Sequence, residues 1–406
     1  IVERGSNVKD ELLFFSIKEM NVANAGAKAL IVFNNQPGIF LGELIHEFSE
    51  PGYIPQIPVV SIDREEGLEI IELIKNDSEG IIHLFFNPDF IAHFSSRGPV
   101  SPFYIKPDMV APGAYINSTQ TNGMYNFTSG TSFAAPHVSG AAALLLQKNP
   151  ELQNHEIKSL LTTTVKPVSD AYGKEFSLHE SGSGRLDIAS AYNAKLIINP
   201  TNFVINLSVD QPSIEKQLEL KLIEEKLGKI DVKFEGPKFV EFKHNIKNNN
   251  LQIGLNMIEE KFGEHEGKIF INHEKIKYTI PVLIHYTEGS VSLKQENEKL
   301  FFEIKHPDEW SFAKITVTNS KNGNVETITT TPDKEVFLEI YENAEYWIDA
   351  KIKVNGNTSD AFNTIKITSL SEKIQKIELT NIPERQIILI ISIMVVIGII
   401  GLAIRK

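Results

Sequence analysis

The sequence predicts an α/β part up to about residue 195, then two β-sandwiches and a single transmembrane helix at the C-terminal end. Three observations carry this. Up to about Ala194, short apolar runs of strand length alternate with segments of helical periodicity. After Ile197 apolar residues recur at every second position, between Gly and Asn turns. Finally, Ile387 to Ile404 is apolar and uncharged over about the ~20-residue length that spans a hydrocarbon core.

Residues 1–85 read as a small α/β unit, with strands at Ala27 to Phe33 and Val59 to Ile62 and one helix from Glu65 to Ile74, its apolar face formed by Leu68, Ile71 and Ile74. From Phe90 to about Ala194 lie short strands, Gly and Pro turns, and two helices at Ser132 to Gln147 and Asn154 to Thr164, the second capped by Asn154. Residues 196–289 read as the first sandwich, with strands at Phe203 to Val209, Gln217 to Leu222, Lys268 to Ile271 and Lys275 to Ile280. Residues 290–382 read as the second, with strands at Lys299 to Ile304, Ala313 to Thr318, Glu335 to Ile340 and Trp347 to Val354. The membrane helix is placed at 386–404. Arg405 and Lys406 suit a cytoplasmic end, although Arg385 on the other side reduces the asymmetry, and everything before Arg385 is then extracytoplasmic.

Composition excludes several function classes. The 406 residues carry a net charge of -12 with Lys and Arg scattered among Asp and Glu, so no basic stripe faces phosphates and nucleic acid is excluded as a partner. Without cysteine there is no disulfide, thiolate metal site or cysteine nucleophile. The chain opens on Ile1 with no signal-peptide pattern, so processing or truncation is expected to have removed its true start.

The chemistry concentrates at Gly130-Thr131-Ser132-Phe133-Ala134-Ala135-Pro136-His137-Val138-Ser139-Gly140, a turn opening onto a helix rich in Ala and Leu. A serine at a helix start projects its hydroxyl from the first turn. Its N–H is among the unpaired donors there, and the helix dipole favours negative charge beside it. Pro136 suits a first turn, where amides lack intrahelical partners. On these grounds two readings stand: a nucleophile that helps hold an oxyanion, or a buried helix with Ser132 as its N-cap.

The block resembles the serine motif of the subtilase family, GTS followed by a large apolar residue and AAPHVAG, with Phe133 and Ser139 as mild departures. Phe94-Ser95-Ser96-Arg97-Gly98-Pro99 and Lys106-Pro107-Asp108-Met109-Val110-Ala111-Pro112-Gly113 resemble two further subtilase blocks. Gly182-Ser183-Gly184-Arg185-Leu186-Asp187 resembles the closing one. The resemblance implies a subtilisin-like catalytic part and peptide-bond hydrolysis through an acyl-enzyme on Ser132, with Gly130 and Thr131 shaping the turn. It also implies a histidine base, an orienting aspartate and an oxyanion asparagine. In the family these precede the serine, and no stretch here matches them. His137 follows Ser132 by five residues, and the motif implies that it and Pro136 are structural. His93, His155 and His179 have no motif context and are expected to be solvated or locally bonded. Asp108 and Asp187 read as turn or strand-end residues, and Tyr125 to Thr128 as a wall of the substrate cleft.

Residues 1–85 resemble a protease-associated (PA) domain lacking its first strand or strands, through Ile1 to Gly5, Asn24 to Asn35 and Ile57 to Ser61. Cell-surface subtilases often carry this insert between histidine and serine. Glu264 to Ile271 with Ile280-Pro281-Val282 resembles a fibronectin-type sandwich; the second sandwich reads as a spacer or a substrate-recognition unit. Sequons stand at Asn76, Asn117, Asn126, Asn206 and Asn357. Calcium, held in many subtilases by carbonyls and carboxylates, leaves no firm trace here; no metal or cofactor is expected, and calcium stands as an alternative without support in the sequence.

The expectation is therefore a fragment of a serine endopeptidase, inactive alone, anchored in the cell membrane with its catalytic domain outside and acting on protein or peptide substrates. The alternative is a non-catalytic surface binding protein on a pseudoprotease scaffold. A lipase-like hydrolase is disfavoured, because the serine is not in a G-x-S-x-G elbow.

Overall fold

The computed structural model describes residues 1–6, 13–38, 40, 54–76, 90–92, 94–170, 173–223, 230–247, 249–368 and 370. The apolar run 387–404 and His93 lie outside them; among the described residues no helix is long and apolar enough to cross a membrane.

Val2–Glu3, Leu30–Phe33 and Val59–Ile62 form a parallel sheet in chain order. The expected helix runs over Arg64–Lys75, started by Asp63, whose carboxylate accepts the Glu66 N–H at 2.8 Å. The expectation of one helix in this unit is corrected: Phe15–Asn24 is a second. Parallel neighbours need a crossover, and this helix lies on the connection between the first two strands. It has neither an acidic first turn nor a capping side chain. It is held from outside, because buried Glu19 accepts the N–H groups of Gln56 and Ile57 at 2.7 and 2.8 Å.

Downstream, an antiparallel hairpin, Ile116–Thr119 with Tyr125–Thr128, leads into the long helix Thr131–Lys148. Helices Asn154–Thr163, Leu178–Ser181 and Ile188–Asn193 follow. The cap of the first of these falls at Gln153, one residue earlier than expected. There the Gln153 N–H donates to the Glu156 carboxylate at 2.8 Å, the reach-back of a glutamate three positions on. Ala141 and Leu145 of the long helix pack with Leu160 and Leu161, and this core continues through Leu186, Leu196 and Ile198 into the sandwich beyond.

The first sandwich faces one four-stranded sheet, in the order Val240–Lys247, Asn250–Met257, Ser213–Leu222, Leu196–Asn199, against another, Phe203–Ser208, Ile276–Thr287, Gly263–His273, Ile230–Glu235. All neighbours are antiparallel except Phe203–Ser208 with Ile276–Thr287. Tyr278 through Tyr286 are buried on both faces of that strand. Its outer face is covered by the serine-bearing segment, where Leu283 packs with Ile105 and Leu178. Backbone polar groups seal the joint: Ser159 Oγ donates to the Ile198 carbonyl and accepts the Ile198 N–H, both at 2.8 Å, and the Tyr278 hydroxyl accepts the N–H groups of Lys195 and Leu196.

The second sandwich faces Ser290–Glu296, Lys299–Lys305 and Val336–Glu339 against a sheet ordered Val325–Thr330, Trp310–Asn319, Glu345–Val354, Asn357–Lys366. Its core, with Leu300, Ile315, Ile348 and Ile352, is separate. It touches the serine-bearing segment through rings: Phe103 stacks on Trp347 at 5.8 Å and Tyr104 lies 5.4 Å from it.

Candidate active site

Ser132 is the second residue of the helix Thr131–Lys148 and is exposed, as is Thr131. The cap residue is Gly130, which overturns the reading of Ser132 as N-cap. The Ser132 N–H therefore belongs to the first four amides, which lack a partner within the helix, and lies at its positive end.

Backbone contacts bring the four motif blocks together. The Gly130 N–H donates to the Gly113 carbonyl at 2.7 Å. A Cβ on Gly113 would lie 2.9 Å from the Gly130 oxygen and 3.0 Å from Ala134 Cβ, so only glycine allows this approach. The Gly113 block is joined to the closing motif: the Val110 N–H donates to the Gly184 carbonyl at 2.9 Å, and the Leu186 N–H to the Val110 carbonyl at 2.8 Å. Gly182 has φ 57°, and a Cβ there would meet the Pro107 oxygen at 2.3 Å. The remaining block joins through the Gly98 N–H, which donates to the His179 carbonyl at 2.8 Å. Ser132 thus stands at the surface of one hydrogen-bonded cluster assembled from residues 94–187.

Two candidate residues fall differently from expectation. Pro136 is not in the first turn but is the sixth helical residue. Its missing N–H removes the i→i−4 donor for the Ser132 carbonyl, and its ring crowds that carbonyl. His179, expected to be solvated or locally bonded, is 8% exposed and reaches across the chain, its Nε2 2.7 Å from Glu264 Oε1. A histidine without motif context gives no sign of a partner 85 residues away.

His137 Nδ1 lies 2.8 Å from the Phe133 carbonyl of its own helix, so the ring is engaged one turn back. His155 is exposed. Asp108 faces Lys106 and Lys158, the latter at 2.7 Å; burial raises its carboxyl, but these lysines outweigh that and hold it below the usual carboxylate range. Asp187 caps the helix Ile188–Asn193 by accepting the Ser190 N–H at 3.1 Å. Burial raises its carboxyl as well, and Ser190 with Lys166 brings it below the usual range. Tyr125 and Phe127 are 68% and 65% exposed on the strand that enters the serine turn. Among the described residues no histidine hydrogen-bonds to Ser132.

Residues 56–211 match the model of the subtilase family, and residues 1–70 that of the PA domain. This chain carries a subtilase segment. Among the proteins it resembles, Minor extracellular protease Vpr of Bacillus subtilis is 26% identical over 309 residues, covering 70% of this chain and 37% of that protein. The PII-type proteinase of Lactococcus lactis subsp. cremoris is 31% identical over 228 residues, or 50% of this chain and 12% of that protein. Subtilisin-like protease SBT1.6 of Arabidopsis thaliana is 37% identical over 135 residues, 28% of this chain and 18% of that protein. The chain thus spans little more than a third of the length of the first of these relatives and less of the others. A two-domain fibronectin type III segment of chicken tenascin aligns to 42% of this chain and 97% of its own at 11% identity, with a TM-score of 0.18.

Proposed function

We propose that this chain is the serine-bearing part of a serine endopeptidase that hydrolyses peptide bonds of extracytoplasmic proteins. The observation that carries this reading is the hydrogen-bonded cluster of four motif blocks presenting exposed Ser132 at a helix N-terminus. Ser132 Oγ attacks the scissile carbonyl, its bond to carbon forming as the C–N bond breaks. The Oγ proton passes through a histidine to the leaving amine, and water then cleaves the ester and restores the hydroxyl. The Ser132 N–H supplies one oxyanion donor, and Gly130 and Thr131 hold the turn. Histidine, aspartate and the second oxyanion donor come from outside these residues, so the chain alone is inactive, a serine without its base being a weak nucleophile. Pro136 and His137 shape the helix. Tyr125 to Thr128 line the cleft for an extended peptide.

Residues 386–404 form a single membrane anchor in this reading, with residues 1–85 as a PA-like unit, 86–195 as the catalytic part outside the cell, and 196–289 and 290–382 as sandwiches. The names of the relatives, one extracellular protease among them, support that side of the membrane. The test is labelling of the native membrane fraction with a fluorophosphonate probe. Label on the Ser132 peptide, abolished in Ser132→Ala, is expected in a species heavier than 45.5 kDa that stays with the lipid after alkaline extraction. A folded full-length protein that takes no label overturns catalysis in favour of a non-catalytic surface binding protein.

A further inference from the structure

The contact between His179 and the first sandwich has the make-up of a metal centre, contrary to the expectation from sequence. Glu264 and Glu266 are two residues apart on the strand Gly263–His273 and therefore face the same side. His285 stands directly opposite Glu264 in the antiparallel ladder, which puts it on that side too. His179 comes down onto them from the helix Leu178–Ser181. That helix is fixed from above by the Gly98 N–H on the His179 carbonyl and from below by Glu266, whose two oxygens each lie 3.0 Å from the Leu178 N.

One ring nitrogen of His179 and one oxygen each of Glu264 and Glu266 lie within 4.8 Å of one another. Glu264 Oε2 lies 3.9 Å from His285 Nδ1. Both histidines are more than nine-tenths buried, and the ring nitrogens nearest the carboxylates are His179 Nε2, 2.7 Å from Glu264 Oε1, and His285 Nδ1. Lys268, a neighbouring cation, is engaged by Glu175. Glu264 and His285 also line a cleft of about 490 Å³ between the two sandwiches, which gives an ion a way in.

We propose that His179, Glu264 and Glu266, with His285 as fourth donor, bind one divalent first-row transition-metal ion that clamps the serine-bearing segment to the first sandwich. Imidazole and carboxylate together form the donor set of such ions, zinc among them, whereas calcium takes oxygen alone. The donors come from the helix Leu178–Ser181 and from strands of the first sandwich, so the role of the ion is to hold the two parts together.

The experiment strips the full 406-residue chain of metal and adds zinc, cobalt(II) or calcium. The wild-type chain is expected to retain about one zinc after dialysis, to melt several degrees higher with zinc and not with calcium, and to return to its starting midpoint with chelator. Cobalt(II) is expected to give the intense visible absorption of a four- or five-coordinate site. The near-isosteric variants Glu264→Gln and Glu266→Gln bind zinc roughly tenfold or more weakly. A wild-type chain that retains no zinc, a cobalt spectrum like that of the hydrated ion, or equal zinc binding by both variants overturns the proposal and leaves a plain hydrogen-bonded His179–Glu264 pair. The wild-type measurements decide even where a variant fails to fold.

Discussion

In the first sandwich the strand Ile276–Thr287 is buried from Tyr278 to Tyr286 on both faces, whereas Trp310–Asn319 in the second alternates buried and accessible positions. The first pattern belongs to a sheet covered on both sides, the second to one that faces water on its outer side. What covers the first is the serine-bearing segment, through Leu283, Ile105 and Leu178 on the outer face and a continuous core from Ala141 to Tyr286. The second keeps its own core and is attached by Phe103 and Tyr104 on Trp347 and by Phe362 against His285 of the first sandwich. Two units of similar architecture therefore differ in kind: one folds together with the segment that presents Ser132, and the other is docked onto it.

The largest break in that contrast is expected from Leu160→Ala, which removes a fully buried side chain from the shared core at about 2–5 kcal/mol. Hydrogen exchange should quicken in 131–163 and 196–287 together while 290–366 is unchanged; loss of protection in the helices alone shows two independent cores. Tyr278→Phe comes next. It leaves the Lys195 and Leu196 amides without their acceptor, at about 1–3 kcal/mol, and lowers the urea midpoint of the joint transition. Trp347→Ala removes the stacked ring at about 1 kcal/mol and should expose residues 101–105 to exchange without moving the first sandwich.

Glu156→Gln gives the smallest effect and sharpens the contrast by pH. The Gln153 N–H, and after it Lys221, hold the Glu156 carboxyl below its ordinary 4.5. A carboxyl depressed by folding stabilises above its unfolded value, and that contribution is lost as pH falls through the folded one. The wild type should thus lose stability below about pH 4.5 more steeply than the variant, which lacks this titration; parallel urea midpoints across that range count against the role of Glu156.

Local patterns were readable from the residues. Val59–Ile62 and Arg64–Lys75 carry their own periodicity and, in Asp63, their own start signal, and the motif blocks around Ser132 announce the cluster that holds it. What escaped is held by distant partners. Phe15–Asn24 is stabilised by Glu19 reaching residues 56 and 57, and no feature of its own first turn marks it. The expected strand Lys275 to Ile280 stops short because alternation gives way to the continuous apolar run of a doubly covered strand. Pro136 falls later in its helix than expected because a motif shows that a helix begins but not which residue is its first. The pairing of His179 with Glu264 had no local trace except Glu264 and Glu266 at strand spacing on one face.

The reciprocal hydrogen bonds between Ser159 and Ile198 also bear on how such proteins can be recombined. A chimera joined at residue 195, where the α/β pattern ends, sets a foreign strand against Ser159 and divides one core between two parents. The seam that leaves each side with its own interior intact falls at Glu288 and Gly289, between the strands Ile276–Thr287 and Ser290–Glu296. The exchangeable cassette is the second sandwich, and the first travels with the serine.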